Sequence, residues 1–202
     1  MLDWRAESNL GQWRDMQAID ALLERRSAKT LTDPAPDDRA LALLLECASR
    51  APDHGRLRPW RFIVIRAAAR ERLGDLMADQ LQRKQPSASS EALQRERLKP
   101  LRAPLIIVVA AVCNAAAKIP PIEQVLAAGA AAQNMMLAAT ALGFGAMWKT
   151  GDAAYDDAVK VALGLEAADS IVGFLYLGTA PAAAVPPPAR GQWQDRVSYW
   201  GE

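Results

Sequence analysis

The chain has 202 residues, a length that fits one domain with additional arms. Apolar residues make up 51% of it, which is ample for a core, and the net charge of +1 gives no overall field that would attract nucleic acid or a membrane surface. Cys47 and Cys113 lack metal-ligand spacing, so we predict no metal site and expect buried free thiols in a reducing compartment. The N-terminus has no apolar segment typical of a secretion signal, so we expect a cytoplasmic protein.

The chain divides into an N-terminal extension, residues 1–15, and one domain, residues 16–202. The extension carries Trp4 and Trp13, and it is either a flexible arm or a segment that packs on a partner subunit. Apolar spacing then predicts a first helix from Met16 to about Arg26 and a second helix that begins at Asp37 and Asp38.

The remaining elements alternate between helical and β-type patterns. The continuous apolar run at 104–112 is rich in β-branched residues and predicts a central strand buried on both faces. Residues 84–99 form a charged insert that either covers a pocket or is simply a solvated helix and loop. We predict further strands at 61–65, 146–148 and 171–177, and helices at 67–82, 122–142 and 156–163.

A cationic loop, residues 49–60, joins the second helix to the first strand. It contains the only histidine of the chain, His54, together with Arg50, Arg56 and Arg58. Three guanidiniums and one imidazole suit an anionic or electron-rich ligand. The alternative is a solvated basic loop with a surface histidine.

A second basic stretch, residues 24–30, reads ERRSAKT at the end of the first predicted helix. Arg25 and Arg26 offer guanidinium forks, Ser27 a neutral donor and Lys29 a mobile charge, a set that binds phosphate. The alternative is a favourable interaction of these cations with the helix dipole.

Several common catalytic signatures are absent from the sequence. There is no G-x-G-x-x-G after a strand, no Walker A loop, no zinc-type cluster and no G-x-S-x-G elbow. No nucleophile or orienting residue is spaced to work with His54. The sequence therefore does not indicate a hydrolase built on His54, and we predict no catalytic side chain.

Five motifs in order resemble the FMN-dependent nitroreductase family. They are R-R-S-x-K at 25–29, R-A-P-D-H at 50–54, P-W at 59–60, G-F-G-A-M-W-K-T-G at 143–151 and V-G-F-L-Y-L-G at 172–178. The resemblance extends from about Met16 to Trp200 and is strongest to the small bacterial NAD(P)H nitroreductases with a histidine in the loop. It implies an α+β fold of three layers, α/β/α, with a mixed, mainly antiparallel sheet. It also implies an intertwined homodimer in which the tail, about 179–202, wraps the partner subunit.

The resemblance also implies roles in FMN binding. Arg25, Arg26 and Ser27 would hold the phosphate, and Lys29, which stands where many members have Arg, predicts a weaker or more mobile contact. Arg50 and His54 would reach the flavin bound mainly by the other chain.

The glycine-rich segment at 143–151 would hold the flavin ring. Trp148 would contribute to a flat slot, and a backbone N–H near Trp148–Thr150 would orient N5. Arg26 or Lys149 would face the N1/C2=O edge, where negative charge grows on reduction.

The implied function is an FMN-dependent NAD(P)H oxidoreductase that reduces nitroaromatic or quinone-like acceptors by ping-pong hydride transfer through flavin N5. Two alternatives stay open: a flavoprotein of the same fold acting on a C=C bond, a halogenated aromatic or flavin itself, and a flavin-binding module without turnover. The sequence chooses neither the acceptor nor NADH over NADPH.

Overall fold

The computed structural model describes residues 16–181, 191 and 193–201. The N-terminal extension, residues 1–15, and the Pro/Ala-rich part of the tail, residues 182–190, lie outside the described residues. The predicted wrapping of a partner by the tail falls largely on this part of the chain.

Six α-helices and four strands make up the described domain, and most predicted elements lie within two or three residues of their observed positions. In chain order they are α1 (Ala18–Glu24), α2 (Asp38–Ala48), β1 (Trp60–Arg66), α3 (Ala69–Lys84), α4 (Ser90–Leu98), β2 (Leu105–Ala111), α5 (Pro121–Ala141), β3 (Gly145–Lys149), α6 (Asp157–Ala162) and β4 (Ser170–Gly178).

The four strands form one sheet in the order β1-β2-β4-β3, and every neighbouring pair is antiparallel. One parallel contact, an isolated bridge between Ser27 and Ala146, extends the sheet past β3. The sheet is therefore mixed and mainly antiparallel, as predicted.

β2 lies at the centre of the domain, and all seven of its residues are buried. Alternate side chains of β2 enter two separate cores, since successive residues of a strand point to opposite faces. Ile107 and Val109 pack with α2 and α5 on one face, whereas Ile106 and Val108 pack with α3 and α6 on the other. This arrangement confirms the predicted three-layer α+β fold.

Helix α4 occupies part of the predicted insert and packs on α3. Ser89 caps it by accepting a hydrogen bond from the Ala92 N–H at 3.2 Å. Close approach of the two helices depends on Gly74, because a Cβ at this position would lie 2.2 Å from the Arg97 carbonyl oxygen. The contact fixes α4 against α3.

The two cysteines differ in part from the expectation of buried thiols. Cys47 and Cys113 are free but half-buried rather than buried, and burial raises the pKa of both thiols. No helix among the described residues is long and apolar enough to cross a membrane.

The α3–α4 contact yields a stability prediction. Gly74→Ala places a methyl group against backbone, which costs roughly 1–3 kcal/mol, while the higher helix propensity of alanine returns up to about 1 kcal/mol. We expect a net loss of about 1–2 kcal/mol in the free energy of unfolding, measured by urea denaturation. Asp79→Ala, at an exposed position of the same helix, is the control and should change stability by less than about 0.5 kcal/mol. A stabilised Gly74→Ala would show that α4 is free to move.

Candidate functional site

A cavity of about 580 Å³ opens between the end of β3 and the two helices α3 and α4. Its volume is within the range of roughly 300–1,000 Å³ that is usual for small-molecule sites. The lining consists of Met77, Gln80, Leu81, Glu96, Lys99, Arg102, Trp148, Lys149, Thr150, Gly151, Asp152, Ala153, Phe174 and Tyr176.

Three predicted site residues, Trp148, Lys149 and Thr150, border this cavity. Strand β3 ends at Lys149, and Gly151 turns the chain with φ of 70° into a short 3₁₀ turn at Asp152–Tyr155. A Cβ at Gly151 would meet nothing within 4 Å, so the backbone here borders open space. Lys149 is half-buried and forms no ion pair with any described residue.

The indole of Trp148 is held against the sheet. Its Nε1–H donates to the Val172 carbonyl at 3.1 Å, and the ring lies so close to Gly173 that a Cβ there would be 2.2 Å from Nε1. The side chain also packs on the core that β2 shares with α5. The indole therefore has a fixed orientation on the α5 face of the sheet, whereas Phe174 and Tyr176, which also line the cavity, belong to the core on the other face.

The cavity also contains polar groups that sequence reasoning missed. Glu96 and Lys99 come from the end of α4 and the turn after it, and they pair with each other at 2.5 Å. Arg102 follows on the same turn. The predicted insert at 84–99 thus borders this cavity only at its end, and no residue of α4 is buried.

Tyr176 presents a buried phenol to this cavity from β4. Only 3% of the residue is exposed, and burial raises the pKa of Tyr176 to about 12. Arg102 acts in the opposite direction and Glu96 adds to the increase. The hydroxyl therefore stays protonated at neutral pH and is available as a hydrogen-bond donor.

The R-R-S-x-K segment lies along the free edge of β3 and does not line the cavity. The Ala28 N–H donates to the Ala146 carbonyl at 3.0 Å, beside the Ser27–Ala146 bridge. Arg25 is half-buried, whereas the other three predicted residues of the segment, Arg26, Ser27 and Lys29, are exposed.

Further along, the chain is fastened to the end of β4. The N–H of Thr32 donates to the carbonyl of Thr179 at 2.9 Å, and the N–H of Thr179 donates to the carbonyl of Thr32 at 2.8 Å. The segment is thus held beside β3 by backbone hydrogen bonds on both sides of Lys29.

The cationic loop lies elsewhere, beside the start of β1 and the N-terminus of α5. His54 Nδ1 is 2.7 Å from a carboxylate oxygen of Glu123, and Arg50 pairs with Glu46 at 3.1 Å. The loop is tight: Asp53 accepts from the Arg58 N–H at 2.6 Å. Arg56 and Arg58 adopt φ of 55° and 50°, a left-handed region that costs free energy for side chains other than glycine.

One chain therefore does not bring all of the predicted residues together. Arg50 and His54 lie next to β1, whereas Lys149 and the R-R-S-x-K segment lie at β3, at the opposite edge of the sheet. Three inter-strand spacings of about 4.8 Å separate these edges by roughly 14 Å.

A second cavity of about 370 Å³ adjoins the first, and the two share Gln80 and Asp152. Two ion pairs border it and tie the C-terminus of α3 to the segment after β3: Lys84–Asp152 at 2.8 Å and Arg83–Asp156 at 2.7 Å. Lys84 holds the pKa of Asp152 below its ordinary value. In the described part of the chain no group of three or more His, Cys, Asp or Glu side chains is placed to hold a metal ion.

The buried phenol gives a pH-dependent prediction. Because the folded state keeps the Tyr176 proton up to about pH 12, while an unfolded tyrosine loses its proton near pH 10, stability is complete below pH 10 and falls as the pH rises to 12. The expected loss is on the order of 2–3 kcal/mol, measured as the free energy of urea unfolding at pH 9 and 11.5. Tyr176→Phe should remove this loss, while Tyr155→Phe, at a tyrosine that is 74% exposed, should retain it. An equal loss in the Tyr176→Phe protein would contradict the assignment.

Comparison with known proteins agrees with this architecture. The model of the nitroreductase family matches residues 22–179. An Escherichia coli K12 protein named "Putative NAD(P)H nitroreductase YdjA" is 42% identical over 166 residues, which cover 81% of this chain and 88% of that protein.

Solved structures have the same fold. A nitroreductase-like family protein from Bacillus cereus superposes with a TM-score of 0.79 at 26% identity, covering 94% of this chain and 98% of that one. A nitroreductase from Desulfovibrio desulfuricans, solved in complex with FMN, gives a TM-score of 0.63 at 29% identity over 86% of this chain and 94% of that one. The chain belongs to the nitroreductase family, a family of oxidoreductases.

Proposed function

We propose that this protein is an FMN-dependent NAD(P)H oxidoreductase that reduces nitroaromatic or quinone-like acceptors. The observation that carries the proposal is the cavity at the end of β3, which is lined by Lys149 and Thr150 together with Gln80 of α3 and Arg102 of the turn after α4. The relatives' names support it, since they specify NAD(P)H nitroreductases and an FMN complex.

The residues present fit FMN by their chemistry. A flavin needs cations near its N1/C2=O edge, and Arg102 and Lys149 border the cavity without an ion pair to any described residue. Its phosphate needs charge-assisted donors, and Arg25, Arg26 and Ser27 supply them at the adjacent edge of the sheet. The open backbone at Gly151 permits close approach of a flat ring.

The cofactor supplies hydride transfer when bound, so the chain itself needs no nucleophile. The protein would bind the cofactor and orient it. Met77, Leu81 and Phe174 give the cavity an apolar wall that excludes water, and the cations of Lys149 and Arg102 favour a ligand that gains negative charge. Lys29 at the β3 edge adds a further, mobile cation.

We further propose a homodimer whose sites lie between subunits. Arg50 and His54 are on the wrong edge of the sheet to join the β3 site of their own chain, so a second copy would have to present them. Helices α1 and α5 contact each other, and both expose large apolar side chains: Ile19, Leu22, Leu23, Ile122 and Leu126, each 45–66% exposed. A Cβ at Gly129, one turn along α5, would meet nothing within 4 Å, which leaves room for a facing helix.

The proposed location is the cytoplasm, because both cysteines of the described chain are free. The acceptor is the least constrained part of the proposal. A flavoprotein acting on a C=C bond, a halogenated aromatic or flavin itself would use the same cavity, and a module without turnover would hold FMN there unreduced.

The experiment that tests the function is an absorption spectrum of the purified protein, repeated under anaerobic conditions after addition of NADH or NADPH. Flavin bands that disappear on reduction, followed by reoxidation with a nitroaromatic or a quinone, are the expected result. Bands that persist would favour the module without turnover. No bands after addition of FMN would overturn the proposal. A panel of acceptors then ranks the alternatives within the enzyme class.

Arg25→Ala tests the phosphate site. Loss of charge-assisted hydrogen bonds to the phosphate should weaken FMN binding by roughly 1.5–3 kcal/mol, measured by fluorescence titration of the apoprotein. Arg72→Ala removes an exposed arginine of α3 outside the cavity lining and should leave the Kd unchanged. Wild-type affinity in Arg25→Ala would remove this residue from the site.

Leu126→Lys tests the dimer. A lysine at this exposed apolar position of α5, where Leu126 is 64% exposed, should shift the protein toward the monomer at micromolar concentration, as measured by light scattering after size-exclusion chromatography, and FMN affinity should fall with it. Val161→Lys, on α6 in the opposite layer and 62% exposed, provides the matched control. A wild-type monomer at this concentration would contradict an interfacial site.

A further inference from the structure

Gln80 is an exception among the buried polar residues of the described chain, which are Gln80, Gln124 and Asp169. The Gln124 amide accepts from the Asn114 N–H and donates to the carbonyls of Asn114 and Ile119. Asp169 accepts from the Glu166 N–H at 2.8 Å. The amide of Gln80, a residue only 6% exposed, has no hydrogen bond to any described residue.

Gln80 lines both the cavity at the end of β3 and the smaller cavity that adjoins it. No side-chain nitrogen or oxygen that is sealed within the described structure lacks a partner, so the polar atoms of Gln80 are open to this joined space. Removing an amide from bulk water without giving it a partner destabilises the folded protein. A ligand that forms hydrogen bonds with this amide would account for a buried polar residue that lowers the stability of the free protein.

The chemistry of an amide specifies what this ligand must offer. A glutamine amide has a carbonyl acceptor beside an NH₂ donor, so it pairs in two parallel hydrogen bonds with a group that has N–H beside C=O, as glutamine does with a base edge. The pyrimidine ring of a flavin presents such an imide edge, C2=O, N3–H and C4=O. Tyr176, also buried and without a partner among the described residues, adds an O–H donor for a carbonyl oxygen in the same cavity.

We propose that Gln80 is the residue that reads the imide edge of the flavin, with the Tyr176 hydroxyl beside it. The inference rests on the proposed function, since it assumes that FMN occupies this cavity. It goes further in assigning recognition of the ring to α3, a helix that none of the sequence motifs includes.

A matched pair of substitutions on one helix tests the assignment. Gln80→Met replaces the free amide by an apolar group of similar size, so the urea midpoint of the apoprotein should rise while the Kd for FMN increases about tenfold, equivalent to 1.4 kcal/mol. Gln82→Met is the control, because the Gln82 amide donates to the Pro86 carbonyl at 2.7 Å and lies outside the cavity lining. It should lower the midpoint and leave the Kd for FMN unchanged. A residue with only a structural role would not combine higher stability with weaker binding.

A methylated cofactor identifies the atom that is read. Wild-type protein should bind 3-methyl-FMN, which lacks the N3–H, less tightly than FMN. Gln80→Met should bind both cofactors with equal affinity. The effects of the substitution and of the methyl group on the Kd are then coupled in a double-mutant cycle. Independent, additive effects would overturn the imide assignment.

Two further results separate failure of this inference from failure of the proposed function. If wild-type protein and Gln80→Met bind FMN with the same Kd, the inference is wrong and the proposed function stands. The same conclusion holds if the substitution lowers only the affinity of the holoenzyme for NAD(P)H. In that case the amide would bind the nicotinamide carboxamide. If wild-type apoprotein does not bind FMN at all, the proposed function fails together with the inference.

Discussion

Burial of β2 on both faces is the constraint on which the rest of the molecule depends. Seven consecutive apolar residues are covered by helices on each side, so β2 itself has no surface that a ligand can reach. Polar groups can gather only at the edges of the sheet and where helices diverge from it. The edge at β3 collects the R-R-S-x-K segment and the cavity, and the opposite edge at β1 collects the cationic loop.

This separation is the reason for proposing that a second copy of the chain completes the site. The loop at His54 carries strained backbone at Arg56 and Arg58, and such strain persists only where surrounding structure maintains it. Glu123 holds the His54 ring from the first turn of α5, and the buried amide of Gln124 next to it fixes that turn. Contacts within the chain therefore fix the conformation of the loop. The loop does not line the cavity at β3.

Sequence reasoning predicted the fold and three of the residues that border the cavity. β2 was predictable because a strand buried on both faces is continuous in apolar residues, and Lys149 and Thr150 followed from a motif that is local in sequence. Gln80, Glu96, Lys99 and Tyr176 were not predictable. Gln80 falls within the apolar stripe of α3, three residues after Met77 and seven after Leu73, but one polar residue in such a stripe does not by itself predict a ligand contact. Tyr176 has the spacing of a core residue in an apolar strand. Only the divergence of α3 from β3 makes these positions part of a cavity, and no pattern in the sequence encodes that divergence.

The paired backbone hydrogen bonds between Thr32 and Thr179 carry a consequence for how the protein is made. They join positions 147 residues apart, and the R-R-S-x-K segment also needs β3 as its neighbour, so this N-terminal segment cannot reach its place until the C-terminal strand exists. A contact of such long sequence separation forms late, because its loop-closure entropy is lost before the contact is gained. On the ribosome, this segment would therefore leave long before β3 and β4, and it would take its place only after both strands have been synthesised.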